Sequence, residues 1–166
     1  MSPSAGVVVI GRNEGERLRR CLASVEASGL PVVYVDSAST DESQEHARQR
    51  GVHVVELDDT AQLSAARARN EGLSKLIELA PHCEFACFLD GDCELASGWI
   101  EHSTAFLAAQ PTVAAVAGRR RERAPDASVW NRLCDLEWDT PTGAAHATGG
   151  DFVVRVSAFG EKVVLM

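Results

Sequence analysis

Short apolar runs alternate with amphipathic segments along almost the whole chain. Six runs have the length and β-branched content of buried strands, and the segments between them carry apolar residues at helical spacing. This alternation predicts an α/β fold in which a mostly parallel sheet carries helices on both faces. The predicted strands are 7–10, 32–35, 52–57, 85–89, 113–117 and 152–155. Four of the predicted helices are 14–28, 61–79, 97–109 and 127–138. A further helix is predicted after the second strand, where Ser39 or Thr40 caps it and residue 50 ends it.

The composition limits the class of protein. The chain has 166 residues, enough for one domain with its own core. Its net charge of -8 argues against a general nucleic-acid-binding protein. No apolar run has the length of a membrane span, and the start of the chain resembles no secretory signal. The odd number of cysteines, five, is typical of reduced thiols, so we expect a cytoplasmic protein, either free or peripheral to a membrane.

The fourth apolar run ends at two carboxylates, Asp90 and Asp92, with Gly91 between them. Alternate residues of a strand point to the same side, so both carboxylates face one way unless a turn at Gly91 intervenes. Like charges at this separation repel, and a divalent cation bridging to a diphosphate would hold them together. The alternative is a solvated turn, because Asp and Gly are common turn formers.

Polar loops follow three predicted strands, at residues 12–14, 36–39 and 90–92. The carboxyl ends of parallel strands meet at one edge of a sheet, where ligands bind in open α/β folds. The chain has neither the glycine-rich dinucleotide fingerprint nor the phosphate-binding loop of ATP-binding folds. A diphosphate would therefore be held by a metal ion rather than by backbone amides, which favours a nucleotide-sugar over a nicotinamide or ATP ligand.

A basic cluster, residues 118–123 (GRRRER), follows the fifth predicted strand of this acidic protein. One interpretation is a solvated surface. The other is a binding site for a phosphate or a lipid headgroup.

Five segments occur in the order found in family 2 glycosyltransferases with the GT-A fold, and the sequence resembles the N-terminal part of that family. Each segment is weakly specific, but together they span about 150 residues. They are 9–14 (VIGRNE), 35–41 (VDSASTD), 68–73 (ARNEGL), 88–92 (FLDGD) and 149–155 (GGDFVVR).

The resemblance implies a nucleoside site. Asp36 would accept a hydrogen bond from a uracil-type base, and Arg69 would pack near the base or its ribose. Asn13 and Glu14 would line the pocket, with Glu14 near the ribose.

The resemblance also implies the place of the diphosphate and the sugar. Asp90 and Asp92 would meet the ribose and a Mg²⁺ or Mn²⁺ ion that bridges the two phosphates. Gly149 and Gly150 would let the backbone approach the donor sugar.

Structural alternatives remain for these residues. In one alternative, Asp36 and Asp41 cap the following helix and have no other role. Arg69 would be an exposed helix residue in another, with Arg67 taking its place. His146, just before the glycine pair, would either touch an acceptor or lie on the surface.

The chain departs from the family pattern in two places. The family usually has proline and an aromatic residue where this chain has Ile10 and Arg12, so the contacts with the base would differ. The family also continues beyond the glycine pair to an acidic pair that supplies the general base. Glu161 is the only late acid here, so we expect residues 1–166 to be a single donor-binding domain without that acceptor segment, with the base beyond Met166.

These features predict a metal-dependent, inverting glycosyltransferase that takes a nucleotide-diphosphate sugar, with a UDP-type donor favoured and the acceptor unidentified. One alternative is a fragment that binds a nucleotide or a protein partner without catalysis. A weaker alternative is a nucleotidyltransferase, which would need a triphosphate loop near the first strand. Exposed sheet edges would also favour self-association.

Overall fold

The computed structural model describes residues 4–60, 62–145 and 148–159. In these ranges, six strands form one sheet, flanked by five α-helices and followed by a short 3₁₀ helix at Val156–Ala158. The strands are β1 (Ala5–Gly11), β2 (Val32–Asp36), β3 (His53–Glu56), β4 (Phe85–Asp90), β5 (Ala115–Ala117) and β6 (Phe152–Arg155). The α-helices are α1 (Glu16–Glu26), α2 (Ser43–Gln49), α3 (Ala65–Leu79), α4 (Trp99–Ala109) and α5 (Val129–Glu137).

The sheet has the strand order β3-β2-β1-β4-β6-β5. Strands β1 to β4 pair in parallel, and β6 runs antiparallel to both β4 and β5. Strand β6 is therefore the one reversed strand among those described, and the predicted mostly parallel α/β sheet is confirmed. The reversal brings the beginning of β6 to the edge where β4 ends, because Phe152 pairs with Phe88.

Helices pack on both faces of the sheet, as the alternation predicted. Strand β1 lies near the centre, and its alternate residues enter two separate apolar layers. Val7 and Val9 pack in the layer of α1, α2 and α4, whereas Val8 and Ile10 pack in the layer of α3. The α1 residues buried in the first layer are Leu18, Cys21, Leu22 and Val25.

All five described helices begin later than predicted, and the contacts of α2 and α3 show why. Helix α2 begins only at Ser43, and neither Ser39 nor Thr40 caps it, because both bond to Asn13 in the neighbouring loop. Helix α3 begins at Ala65 rather than 61, where the Ser64 hydroxyl accepts the amide of Arg67. A serine at this position satisfies an amide that the first helical turn leaves without a partner.

Candidate functional site

The carboxyl ends of β1, β2 and β4 lie side by side at one edge of the sheet. Gly11 pairs with Asp36, and Ile10 pairs with Asp90. Backbone hydrogen bonds continue the register past the strand ends, from the Ser37 amide to the Gly11 carbonyl at 3.0 Å and from the Gly91 amide to the Ile10 carbonyl at 2.7 Å. The structure thus brings the three polar loops together at one edge.

The loop after β1 is bonded to the loop after β2. The Asn13 amide donates to Ser39 Oγ at 2.8 Å, and Asn13 Oδ1 accepts the Thr40 amide at 2.7 Å. Asn13 has a positive φ of 54°, a conformation that asparagine tolerates better than most residues. The Gly15 amide also donates to Asp41 Oδ2 at 3.1 Å. Asn13 therefore organises these loops, whatever contact it makes with a ligand.

Asp36 lies in the protein interior, with no exposed surface. Its Oδ1 accepts the Tyr34 hydroxyl at 2.8 Å, and its Oδ2 accepts both the Ser39 amide and Gln44 Nε2 at 2.8 Å. Because no surface of Asp36 is exposed, a base could bond directly to this carboxylate only if the surrounding groups moved. Asp36, the last residue of β2, therefore connects the strand end to the following loop and to α2. Its contact with a base stays a prediction.

Arg69 and Asp90 form an ion pair at the centre of the edge. The Arg69 Nη2 atom lies 2.9 Å from Asp90 Oδ1, and only 18% of the Arg69 side chain is exposed. The guanidinium also lies over the Phe152 ring, 5.7 Å from its centroid. Arg67, the competing arginine, instead pairs with Asp58. Arg69 is therefore the arginine that α3 delivers to the edge.

Gly150 makes room for Asp90. A Cβ atom at Gly150 would lie 1.6 Å from Asp90 Oδ2, so only glycine fits beside the carboxylate in this position. A Cβ atom at Gly149 would lie 2.6 Å from the Arg120 guanidinium. The glycine pair thus permits a close approach, but in the described structure the approaching groups are Asp90 and Arg120. A contact with a donor sugar stays a prediction.

Asp151 extends the acidic group at this edge. Burial raises the pKa of Asp151, the charge of Asp90 adds to the rise, and the Arg120 guanidinium opposes it. Arg120 Nε lies 3.7 Å from Asp151 Oδ1. Neither residue is among those that the motifs predicted for the site, although Asp151 directly follows the glycine pair and Arg120 lies in the basic cluster.

Glu14 packs beneath the turn after β4. Its Cγ would be 3.3 Å from a Cβ atom at Gly91, and one carboxylate oxygen pairs with Arg17 at 2.8 Å. Burial raises the pKa of Glu14, Arg17 lowers it, and the nearby charge of Asp92 raises it again. Glu14 therefore lies near the two aspartates, and its place in a nucleoside pocket near the ribose stays a prediction.

A turn does intervene between Asp90 and Asp92. Strand β4 ends at Asp90, and the Cys93 amide donates to the Asp90 carbonyl at 2.9 Å. Asp92 is exposed, whereas two-thirds of the Asp90 side chain is covered, since 33% of it is exposed. The strand alternation therefore does not continue to Asp92.

Asp90 and Asp92 are the candidate metal ligands at this edge. Within residues 4–60, 62–145 and 148–159, no group of three or more His, Cys, Asp or Glu side chains is placed to hold a metal ion. Mg²⁺ is usually held by one or two carboxylates together with substrate phosphates and waters. A metal ion held by Asp90 and Asp92 would therefore need further oxygens from a substrate such as a diphosphate.

Two residues named in the sequence analysis lie outside the described ranges, His146 beside the glycine pair and Glu161 near the end of the chain. Among the described helices, none combines the length and the apolar character needed to cross a membrane.

Solved structures with the same fold are glycosyltransferases. A mannosyltransferase from Pyrobaculum calidifontis, in complex with GDP-Man and Mn²⁺, superposes with a TM-score of 0.64 at 23% identity, over 93% of this chain and 45% of that one. Glucosyl-3-phosphoglycerate synthase from Mycobacterium tuberculosis, in complex with UDP, superposes with a TM-score of 0.66 at 17% identity, over 93% of this chain and 57% of that one. The chain thus spans about half the length of these proteins.

The sheet order and the acidic edge, together with these neighbours, define a GT-A-type α/β domain. The sequence profile described as "Glycosyl transferase family 2" matches residues 6–159. The chain belongs to that family of glycosyltransferases, which confirms the resemblance seen in the sequence. A search of curated proteins finds no match to the chain.

Proposed function

We propose that residues 1–166 form the donor-binding domain of a metal-dependent, inverting glycosyltransferase. It would transfer a sugar from a nucleotide-diphosphate donor to an acceptor hydroxyl. The observation that carries the proposal is the edge where Arg69, Asp90 and Gly150 meet beside the loops after β1 and β2. These groups come from five separate segments of the chain, and each segment matches a motif of the family.

The residues of the edge have separate tasks in this proposal. Asn13, Glu14 and the loop around Asp36 would form the nucleoside side, with Arg69 near the base or ribose. Asp90 and Asp92 would hold Mg²⁺ or Mn²⁺ together with the diphosphate, and the ion would neutralise charge on the departing group. Arg69 keeps the Asp90 carboxylate oriented before the donor arrives, because their ion pair is largely shielded from solvent.

The nature of the nucleotide is part of the proposal. We favour a UDP-type donor, in keeping with the uracil contact inferred for Asp36. The neighbouring structures include one in complex with Mn²⁺ and UDP-Glc and another with Mn²⁺ and GDP-Man, so they support a nucleotide-sugar donor and a divalent ion without selecting the base.

Titration calorimetry with UDP and GDP, in Mn²⁺ and then in EDTA, tests this function. We expect UDP to bind in Mn²⁺, and we expect Asp90→Asn and Asp92→Asn each to weaken binding at least about 10-fold, the loss of one charged contact. Glu84→Gln is the matched control, since Glu84 is an exposed acid at the opposite end of β4. Affinity that is unchanged by both aspartate variants and by EDTA would contradict the metal assignment.

A binding domain without catalysis is the second candidate, because the chain spans about half of its structural neighbours and the general base is unassigned. Release of free nucleoside diphosphate from a UDP-sugar and an acceptor distinguishes the two candidates. We also propose a cytoplasmic location, which the five unpaired cysteines support.

A further inference from the structure

The basic cluster at residues 118–123 reaches the same edge as the aspartates. Strand β5 ends at Ala117, which pairs with Phe152, and Phe152 also pairs with Phe88 of β4. Strands β5 and β4 therefore end at corresponding levels, with the beginning of β6 between them. Gly118 and the arginines that follow it leave the sheet beside Asp151.

The arginines of this cluster contact different groups of the protein. Arg119 pairs with Asp135 at 3.6 Å and Asp139 at 3.2 Å, which joins the cluster to α5. Arg123 contacts Glu94, in the segment between β4 and α4. These two arginines hold the segments flanking the edge together. Arg121 is exposed, and only Arg120 is directed to the glycine pair.

Arg120 is held in place without being fully bonded. Its guanidinium lies over the Trp138 ring, 4.8 Å from the centroid, and packs against the bare backbone of Gly149. Its contact with Asp151 is 3.7 Å, longer than a hydrogen bond. No acceptor among the described residues is hydrogen-bonded to Arg120, and about a third of the side chain, 35%, is exposed. An oriented guanidinium with donors to spare can bind an incoming anion.

A phosphate is the anion that the proposed donor would bring to this guanidinium. Arg69, the other arginine of the edge, already bonds to Asp90 at 2.9 Å. A cation shared by Asp90, Asp92 and a diphosphate would leave further phosphate oxygens to be satisfied. The planar fork of arginine donates two parallel hydrogen bonds to such oxygens. The guanidinium of Arg120 would give up its weak contact with Asp151 and form these stronger hydrogen bonds with the phosphate.

We propose that Arg120 binds the diphosphate of the donor, held for that task by the Trp138 ring and the Gly149 backbone. This inference rests on the proposed function and adds a phosphate-binding residue to it. Trp138 is a positioning residue in the proposal, since it orients the guanidinium and touches no substrate.

Affinities for three probes, UDP, uridine and inorganic diphosphate, test the proposal in the presence of Mn²⁺. We expect Arg120→Ala to weaken binding of UDP and of inorganic diphosphate by about 10- to 100-fold, the loss of charge-assisted hydrogen bonds, and to leave uridine binding unchanged. Arg120→Lys should fall between wild type and Arg120→Ala, because it keeps the charge and loses the fork. Arg121→Ala, the exposed neighbour, is the matched control and should behave as wild type.

The outcomes separate this proposal from the proposed function. Metal-dependent UDP binding that is unaffected by Arg120→Ala overturns the Arg120 proposal and leaves the function standing. Equal losses for UDP and uridine also overturn it, since they show a purely structural role. Binding of inorganic diphosphate that depends on Arg120, without binding of UDP, supports Arg120 as a diphosphate-binding residue and overturns the UDP-type function. If wild type binds none of these probes, both are overturned.

Discussion

At the scale of single residues, the Asp36 carboxylate is held by the fold itself. It has no exposed surface, and its two oxygens accept from the Tyr34 hydroxyl, the Ser39 amide and the Gln44 side chain. Such a carboxylate links the end of β2 to the loop and to α2. Its removal would leave buried donors without acceptors, which costs more than the bonds themselves contribute.

We therefore expect Asp36→Ala to lower the free energy of unfolding by about 2–4 kcal/mol, measured by urea denaturation. Tyr34→Phe removes one of the three hydrogen bonds to the carboxylate and leaves the other two, so it serves as the control and should cost only about 1 kcal/mol. An Asp36→Ala protein as stable as wild type would contradict the structural role and favour a role of the Asp36 carboxylate in ligand binding.

The sequence located most residues of the candidate site but not their surroundings. Asn13, Glu14, Asp90 and Asp92 lie at or just after strand ends, which a parallel sheet brings together, whereas Arg69 lies in α3 and was expected only from the resemblance of its segment to the family. The burial of Asp36 does not follow from its motif, since it depends on a tyrosine hydroxyl two residues earlier and on a glutamine in the next helix.

The role of Arg120 illustrates the same limit. Among four arginines within five residues, nothing local distinguishes one from another. Trp138 and Gly149, which orient Arg120, lie 18 or more residues further along the chain. The pairing of β5 with β6 brings Gly149 to Arg120, and the ion pairs of Arg119 with Asp135 and Asp139 hold the end of α5, with Trp138, beside it.

At the scale of elements, α3 depends on one glycine for its distance from the sheet. A Cβ atom at Gly72 would lie 2.3 Å from Val8 Cγ1 and 2.8 Å from Val35 Cγ2. Those valines belong to the central strands β1 and β2 and have no exposed surface, so they have little room to move. Because α3 also carries Arg69, its position determines the geometry of the Arg69–Asp90 pair.

We expect Gly72→Ala to lower the free energy of unfolding by about 1–3 kcal/mol through overpacking, despite the better helix propensity of alanine. Chemical denaturation measures this loss. Ser74→Ala, at an exposed position of the same helix, is the control and should change stability by no more than about 0.5 kcal/mol. A stabilised Gly72→Ala protein would show that propensity outweighs the close packing.

Helix and strand types were predictable, while helix beginnings were less so. The apolar runs of β1, β2, β4 and β6 are continuous enough to identify as strands from sequence. Ser39 and Thr40 have the right chemistry for a helix cap, yet they bond to Asn13, which is 26 and 27 residues away. A local propensity gives way here to a contact between two loops.

At the scale of the whole molecule, α5 leaves an apolar surface uncovered. No residue of α5 is buried, and Val129 and Trp130 are 81% and 75% exposed. Leu133 and Leu136 lie on the same face of the helix and are also exposed. A monomeric soluble protein seldom exposes large apolar side chains together, so we assign the predicted self-association to this face of α5 rather than to the sheet edges expected from the sequence.

We predict that the protein associates with itself through this face as its concentration rises, which sedimentation velocity measures. Trp130→Glu combined with Leu133→Glu should shift the distribution to monomer. Phe106→Glu, a half-exposed apolar position on α4, is the control and should leave the association unchanged. A single monomeric species for wild type at high concentration would contradict the prediction.

The reversed direction of β6 has a consequence for the order in which a newly made chain becomes competent. Gly150 lies against Asp90 only when β6 is paired with β4, and β6 comes 62 positions after Asp90, at Phe152. During synthesis, strands β1 to β4 can pair while Gly150 and β6, which lie beside Asp90 in the folded protein, are still inside the ribosome. Strands β1 to β4 can therefore pair first, and the described site is complete only once β6 has emerged as well.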